Sequence, residues 1–230
     1  MLKVELHTHT ADDPEDYIAH TAHQLIDRAA ALDYDALAIT LHNRQLDLEP
    51  LSAYAGRHGL VLIPGVERDI HGKHILLINF SGRAEQVDSF EAVAALKKDE
   101  PVGLVIAPHP FFPARSCLRS VMDRHASLFD AVEYNAMYSP MVNFNRAGKR
   151  WALAHGTPMV GNCDVHLLEQ LGTTYSLVDA EPTPNAICEA IRLGGVSVES
   201  VPLHLIRAAW LFARILPSGV REPWGHELAR

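Results

Sequence analysis

Two histidines separated by one residue, His7 and His9, follow the first apolar run of the chain, residues 2–6. A short run of this kind is typical of a buried strand, and two side chains at its exit can turn toward one point. Imidazole is a common ligand of metal ions in proteins. Isolated histidine pairs also occur in ordinary loops, so the metal interpretation depends on what the rest of the chain places nearby.

Further short apolar runs predict strands at about residues 35–40, 60–64, 74–80, 102–107, 130–134, 158–161 and 173–178. Most of these runs end in a side chain that binds metals. The metal-capable residues at predicted strand exits are His7, His9, His42, Glu67, His109, Asp164 and His166. So many ligands at equivalent positions predict a metal centre rather than chance.

Helical patterns separate most of the strands. The clearest begins with a capping box at Thr21 and continues to about Leu32, which leaves His20 in the preceding loop, able to face the same rim as His9. Other helices are predicted at about residues 46–58, 85–98, 143–155, 183–193 and 204–216. This alternation predicts a parallel sheet closed into an α/β barrel, a fold that gathers active-site residues at its strand exits.

Composition favours one domain and disfavours a nucleic-acid partner. The chain has 230 residues, 48% of them hydrophobic, and a formal charge of −8, which argues against affinity for extended nucleic acid. Its three cysteines, Cys117, Cys163 and Cys188, are spaced too irregularly for a disulfide framework. Neither a secretory signal nor a membrane span is visible, so we expect a cytoplasmic protein that does not bind membranes. The oligomeric state is left open.

The motifs resemble those of the polymerase and histidinol phosphatase (PHP) domain family, over residues 2–198 and in the order of the family. They are His-x-His at 7–9, Thr-Leu-His at 40–42, Gly-x-Glu at 65–67, the histidine His74, Pro-His-Pro at 108–110 and Asp-x-His at 164–166. The resemblance implies a distorted seven-stranded, TIM-barrel-like (β/α)7 fold in residues 1–200. Residues 201–230 are then a C-terminal helix and tail packed on the barrel.

The resemblance also implies a centre of two to three divalent ions of zinc, manganese or iron. One ion would be held by His7, His9, Glu67 and Asp164; a second would share Glu67 and add His74 and His109; a third would take His42, His166 and a group from the acidic loop, with Asp12 and His20 as candidates. Leu41 stands where the family usually has aspartate, so we expect a changed surrounding there rather than a lost metal.

A glutamate shared by two cations holds them roughly 3.5–4 Å apart, an arrangement used for hydrolysis at phosphorus. The resemblance therefore implies a phosphoesterase in which a hydroxide between the metals attacks a phosphate mono- or diester of a small metabolite or nucleotide. Glu67, Asp164 and His166 are the predicted catalytic residues. Arg115 and Arg68 lie on the expected rim and are candidates for binding the phosphate, and the alternative for each is a solvated or ion-paired arginine.

Two other functions remain open from the sequence. A barrel rim of this type also hydrolyses carbonyl compounds, as in amidohydrolase-like enzymes. A metal-stabilised domain without activity is the third alternative, and the full set of ligands in this chain disfavours it.

Overall fold

The structure, a computed structural model, describes residues 1–215, and its strands form one mixed sheet. Most of the strands lie within a few residues of the apolar runs that predict them. The strands of the described chain are β1 (Leu2–Glu5), β2 (Ala36–Ile39), β3 (Val61–Asp69), β4 (His74–Ile78), β5 (Leu104–Ala107), β6 (Ala131–Asn135), β7 (Met159–Asn162), β8 (Thr174–Val178) and β9 (Val196–Ser200).

The sheet has the order β7-β6-β5-β4-β3-β2-β1-β8-β9 and curls until its two sides nearly meet. The amide of Gly161 on β7 donates to the hydroxyl of Ser176 on β8 at 2.9 Å. A Cβ at Gly161 would lie 2.6 Å from the carbonyl oxygen of Tyr175, so this close approach requires glycine. Beyond β1 and β7, Thr8 and Val165 form a parallel bridge. The predicted TIM-like α/β barrel is therefore confirmed.

The sheet is not uniformly parallel, which corrects the prediction from the alternation of strands and helices. Strand β4 is antiparallel to β3 and β5, and β8 is antiparallel to β1 and β9. Only residues 70–73 separate β3 from β4, and His71 and Gly72 turn the chain there with φ angles of 53° and 75°. A parallel pair of strands needs a crossover of about a dozen residues. A connection as short as this one can therefore join only antiparallel strands.

The helices pack against the sheet through three clusters of buried apolar side chains. The predicted capping box is present: the amide of Gln24 donates to Thr21 Oγ1 at 3.3 Å, and the amide of Thr21 donates to Gln24 Oε1 at 2.9 Å. The helices are α1 (Ala22–Ala30), α2 (Glu49–Arg57), α3 (Phe90–Asp99), α4 (Val121–Arg124), α5 (Asn145–His155), α6 (Pro184–Arg192) and α7 (Leu205–Ile215).

The end of the described chain is a strand and a helix, and only the helix is predicted from the sequence. Strand β9 has alternately exposed side chains and escapes the search for apolar runs. Helix α7 buries Leu211 and exposes Ile206, and Arg207 donates to the carbonyl of Glu169 at 2.8 Å. The predicted tail after α7 lies outside the described residues. Within residues 1–215, no helix is both long and apolar enough to cross a membrane.

Candidate metal centre

The residues predicted at strand exits converge on one rim of the barrel. Parallel strands end at the same edge, and His74 joins them because β4 runs in the opposite direction and begins at that edge. The residues brought together are His7, His9, His42, Glu67, His74, His109, Asp164 and His166.

Glu67 lies at the centre of this cluster, almost fully buried, and each of its two oxygens faces different imidazole rings. A carboxylate that divides its oxygens between two sets of ligands has the form of a bridging ligand. The distances are 2.8 Å from Oε1 to His74 Nδ1, 3.4 Å from Oε1 to His109 Nε2, 3.1 Å from Oε2 to His7 Nε2, and 3.3 Å from Oε2 to His9 Nε2 and to His42 Nε2.

Asp164 supplies the second carboxylate of the cluster. Its Oδ1 lies 3.3 Å from His7 Nε2 and 3.3 Å from His166 Nδ1. His9 Nε2 lies 3.5 Å from the same oxygen. One oxygen atom therefore faces three imidazole nitrogens.

The atoms of this cluster fit divalent metal ions. His9 Nε2 and Asp164 Oδ1 are buried without a hydrogen-bond partner among the described residues, a costly state that a bound cation relieves. Donor atoms of His7, His9 and Glu67 lie within 4.8 Å of one another, as do those of four further overlapping groups. Imidazole and carboxylate ligands without thiolate suit zinc, manganese or iron.

The carboxylate of Asp13 fixes the orientation of two of these rings. Its Oδ2 accepts hydrogen bonds from His9 Nδ1 at 2.9 Å and from His42 Nδ1 at 3.0 Å. The amides of Glu15 and Asp16 donate to the other oxygen. Because Nδ1 of each ring faces Asp13, Nε2 of each ring is directed toward Glu67, which is how a carboxylate orients metal-binding histidines.

Glu133 on β6 plays the same part for His7. This fully buried side chain accepts a hydrogen bond from His7 Nδ1 at 2.8 Å and one from the Asn162 amide group at 3.1 Å. Its other oxygen accepts from the backbone amide of His109 at 3.1 Å and from the side chain of Asn135 at 2.8 Å. Glu133 therefore links the exits of β1, β5 and β7 at the rim.

A third buried carboxylate, Glu5, joins the exits of β1 and β7. It accepts hydrogen bonds from the backbone amides of His7 at 3.1 Å and Cys163 at 3.0 Å. Burial raises the pKa of Glu5 to about 8. Cys163 is buried too, and its thiol donates to the carbonyl of Thr174 at 3.1 Å, as expected of a packing residue.

The charged groups of the cluster shift one another's pKa values. Burial alone would raise the pKa of Glu67, but the nearby His7 and His74 outweigh burial and hold that pKa well below its usual range. Conversely, burial lowers the pKa of His7, and the carboxylates of Asp164 and Glu67 raise it well above its usual value. The buried carboxylates thus require positive charge beside them, from protons or from metal ions.

Two site residues adopt a left-handed backbone conformation, His109 at φ 29° and Asp164 at φ 52°. This conformation is uncommon for residues other than glycine and is found where surrounding contacts enforce it, often in functional sites. Both residues lie two positions after the end of a strand, His109 after β5 and Asp164 after β7. The chain therefore directs these side chains into the cluster at some conformational cost.

Two predicted ligands lie outside the cluster. Asp12 is exposed, and its carboxylate accepts a hydrogen bond from the hydroxyl of Thr10 at 3.1 Å. His20 is buried, but its Nε2 donates to the backbone carbonyl of His9 at 2.8 Å and so supports the loop. The acidic-loop residues that reach the histidines are Asp13 and Asp16, and Asp16 Oδ2 lies 3.1 Å from His166 Nε2.

The two predicted phosphate-binding arginines are not placed for that role. Arg68 donates to the side chain of Asn43 at 2.8 Å and to the carbonyl of Val87 at 2.7 Å. Arg115 is exposed, and neither side chain lines the cavity beside the cluster. Arg68 is adjacent to Glu67 in the sequence, but its long side chain reaches Asn43 and the carbonyl of Val87 rather than the cavity.

Sequence reasoning missed Asp13, Asp16 and Glu133 as functional residues. Glu133 does lie at a predicted strand exit, as Glu67 does, and that shared position was the available signal. For Asp13 and Asp16 no local pattern separates them from Asp12 in the same acidic run, because the fold of the loop decides which side chain turns inward.

Comparison with known proteins identifies the family model described as PHP-associated, PHP_C, which matches residues 142–196. No curated protein matches the sequence. Among solved structures, the chain is similar to a two-domain protein from Bacteroides vulgatus that contains a predicted PHP-like metal-dependent phosphoesterase. The TM-score is 0.66 at 18% identity, over 93% of this chain and 69% of that chain.

Two further proteins have similar folds. An amidohydrolase from Chromobacterium violaceum, with bound sulfate and no metal, has a TM-score of 0.56 at 17% identity, over 71% of this chain and 87% of its own. The lesion-specific endonuclease EndoQ from Pyrococcus furiosus has a TM-score of 0.56 at 15% identity, over 98% and 73% of the two chains.

The expectation that net charge excludes extended nucleic acid is wrong. A structure of Endonuclease Q holds a 27-mer duplex substrate with an abasic lesion at the active site, and it resembles this chain with a TM-score of 0.56 at 15% identity, over 91% and 66% of the two chains. Binding depends on the local potential at the rim, which the sum of charges over a chain does not describe. The comparisons confirm the resemblance seen in the motifs: the chain has the PHP fold and carries a PHP-associated segment.

Proposed function

We propose that this protein is a metal-dependent phosphoesterase. The observation that supports the proposal most is Glu67, a buried carboxylate with one oxygen facing His74 and His109 and the other facing three further histidines. Such a bridging group is the central element of sites that hydrolyse phosphate esters with two metals.

The proposed ligand sets follow the contacts in the cluster. His7, His9, Glu67 and Asp164 would hold one ion, and His74 and His109 would share Glu67 for a second. His42 and His166 would hold a third ion with Asp16, in place of Asp12 or His20. Divalent cations at such positions neutralise phosphoryl oxygens and lower the pKa of water.

The reaction adds water across a P–O ester bond. The water oxygen forms a bond to phosphorus, the bond from phosphorus to the leaving oxygen breaks, and that oxygen takes up a proton. Asp13 and Glu133 contribute by fixing the rings of His9, His42 and His7, so that the site is organised before the substrate arrives. Glu67, Asp164 and His166 are the proposed catalytic residues.

The test is hydrolysis of a panel of substrates by protein loaded with manganese or zinc. The panel contains 4-nitrophenyl phosphate, bis(4-nitrophenyl) phosphate and a duplex oligonucleotide with and without an abasic site. We expect release from at least one of them, loss of that release on chelation, and its return with added metal. Bound metal with no release from any phosphate ester contradicts the proposal.

Carbonyl hydrolysis is the second candidate, favoured by the similarity to the amidohydrolase from Chromobacterium violaceum. The same panel extended with N-acyl and lactone substrates separates the two functions. Metal-dependent release from these compounds, with all phosphate esters unchanged, would identify the carbonyl hydrolase.

A further inference from the structure

The metal cluster forms only one side of a cavity of about 290 Å³. We call the side formed by His42, Glu67, His74, His109, Asp164 and His166 the ligand wall. A second set of lining residues, Phe112, Ala114, Cys117 and Met137, forms what we call the apolar wall. The volume is at the lower limit of small-molecule sites, about 300 Å³, so it accommodates one phosphate and one compact group beside it.

No lysine or arginine is among the described residues that line this cavity. Two cationic side chains donate to backbone carbonyls of residues 112–117, the segment that supplies most of the apolar wall. Lys73 Nζ donates to the carbonyls of Arg115 at 2.6 Å and Cys117 at 3.0 Å, and Arg119 donates to the carbonyl of Phe112 at 3.1 Å. A second anionic group on the substrate would therefore find no lysine or arginine among the described lining residues to pair with.

These contacts also make the apolar wall a preformed surface. The amide of His74 donates to the carbonyl of Ser116 at 2.9 Å, which ties the same segment to β4. The ring of Phe112 lies 5.4 Å from that of Phe144, and the amide of Met137 donates to Asn135 Oδ1 at 2.8 Å. An aromatic face and a methionine side chain held in this way suit a flat ring, through ring contacts and sulfur contacts.

We propose that the apolar wall binds a flat, uncharged aromatic or heteroaromatic ring carried by a substrate with a single phosphate ester group. This inference rests on the proposed function and adds the substrate class to it. Phe112 and Met137 are the specificity-determining residues: they would contact the ring, and neither belongs to the proposed ligand sets.

The test measures binding of three phosphonates that cannot be hydrolysed, by calorimetry on the metal-loaded full chain. Phenylphosphonate, methylphosphonate and 4-carboxyphenylphosphonate present the same phosphorus group with a flat ring, no ring and a charged ring. We expect phenylphosphonate to bind about tenfold more tightly than either of the others. In Phe112→Ala and Met137→Ala the preference over methylphosphonate should fall severalfold, with methylphosphonate affinity unchanged.

Leu153→Ala is the matched control, because Leu153 is an exposed apolar residue on α5 that does not line the cavity, and it should retain the preference. Equal binding of phenyl- and methylphosphonate, with phosphate ester hydrolysis intact, overturns this inference and leaves the proposed function standing. A preference that survives both substitutions also overturns it. Absence of binding by all three compounds, together with absence of hydrolysis, overturns both.

Discussion

The two walls of the cavity differ in how their polar groups are satisfied. In the ligand wall, carboxylates and imidazoles face one another, and Asp164 Oδ1, together with His9 Nε2 beside it in the metal cluster, lacks a hydrogen-bond partner among the described residues. In the apolar wall, backbone carbonyls are bound by Lys73 and Arg119, and carbon and sulfur atoms line the cavity. The ligand wall therefore needs bound cations, whereas Lys73 and Arg119 already pair with backbone carbonyls of the apolar wall.

This difference assigns metal affinity to the ligand wall and the choice of substrate to the apolar wall. The ligand wall comes from side chains at or near the strand ends that form the rim, whose positions the barrel determines. The apolar wall comes from loop residues, and loops carry most of the variation in specificity on a common fold. The two walls touch at His109, which lies 3.5 Å from Cys117 Sγ and edge-on to the ring of Phe112. Substitutions in one wall should therefore affect that wall's own function more than the function of the other, which the following predictions test.

The largest effect is expected from Glu67→Ala. Removing the carboxylate that contacts five histidines should lower metal-dependent hydrolysis by at least about 100-fold and reduce the number of bound ions. The measurement is turnover together with elemental analysis. Glu91→Ala, on an exposed position of α3, is the control and should keep both. Full activity in Glu67→Ala would refute the bridging role.

The carboxylates that orient the rings should matter less than Glu67 and more than any exposed acid. In Asp13→Asn and Glu133→Gln, we expect metal affinity to fall by about 10–100-fold, because Nδ1 of the partner histidine loses a charged acceptor. Competition with a chromophoric chelator measures this. Asp12→Asn, one position away and exposed, should bind metal as the native protein does. Equal losses in Asp12→Asn and Asp13→Asn would contradict the assignment.

Metal binding should strengthen as pH rises. Burial and the neighbouring His9 lower the pKa of His166, but Asp164 and Asp16 outweigh them and raise it to about 9. Below that pH the ring carries a proton that a metal ion must displace, so affinity should rise by about tenfold per pH unit for each proton released, up to pH 9. Calorimetry in buffers of different ionisation enthalpy counts these protons. Affinity independent of pH between 6.5 and 9 would exclude this coupling.

The smallest effect is expected for Arg119, which donates to a backbone carbonyl of the apolar wall. Arg119→Met removes the donor to the carbonyl of Phe112 and should loosen the ring, which lowers the preference for phenylphosphonate by about two- to threefold. Metal affinity should not change. Arg115→Ala should change neither quantity, because Arg115 is exposed and does not line the cavity. A large rise in KM for phosphate esters in Arg115→Ala would instead support the predicted role of Arg115 in binding the phosphate.

The sequence predicts the metal-binding residues at the rim of the barrel better than the carboxylates that orient them. His7, His42 and Glu67 were predictable because each follows an apolar run, and parallel strands bring such positions to one edge. His74 comes at the start of a strand, and the motifs of the PHP family, rather than the alternation of elements, point to it. The reversal of β4 then explains why it reaches the same edge.

The remaining errors share a physical cause. Which member of the acidic run turns inward depends on backbone turns and tertiary hydrogen bonds, and these direct Asp13 and Asp16 to the histidines while Asp12 faces solvent. Arg68 reaches Asn43 and Val87 because a long flexible side chain satisfies whichever acceptors the fold leaves nearby. Local sequence does not contain this information.

The most direct test of the metal centre is anomalous diffraction from crystals of the protein grown with zinc or manganese. We expect at least two anomalous peaks within bonding distance of Glu67, about 2.0–2.2 Å for zinc, one on each of its oxygens, with His74 and His109 beside one peak and His7 and His9 beside the other. A single peak away from Glu67, or no peak at the rim of the barrel, would contradict the bridged centre on which the proposed function depends.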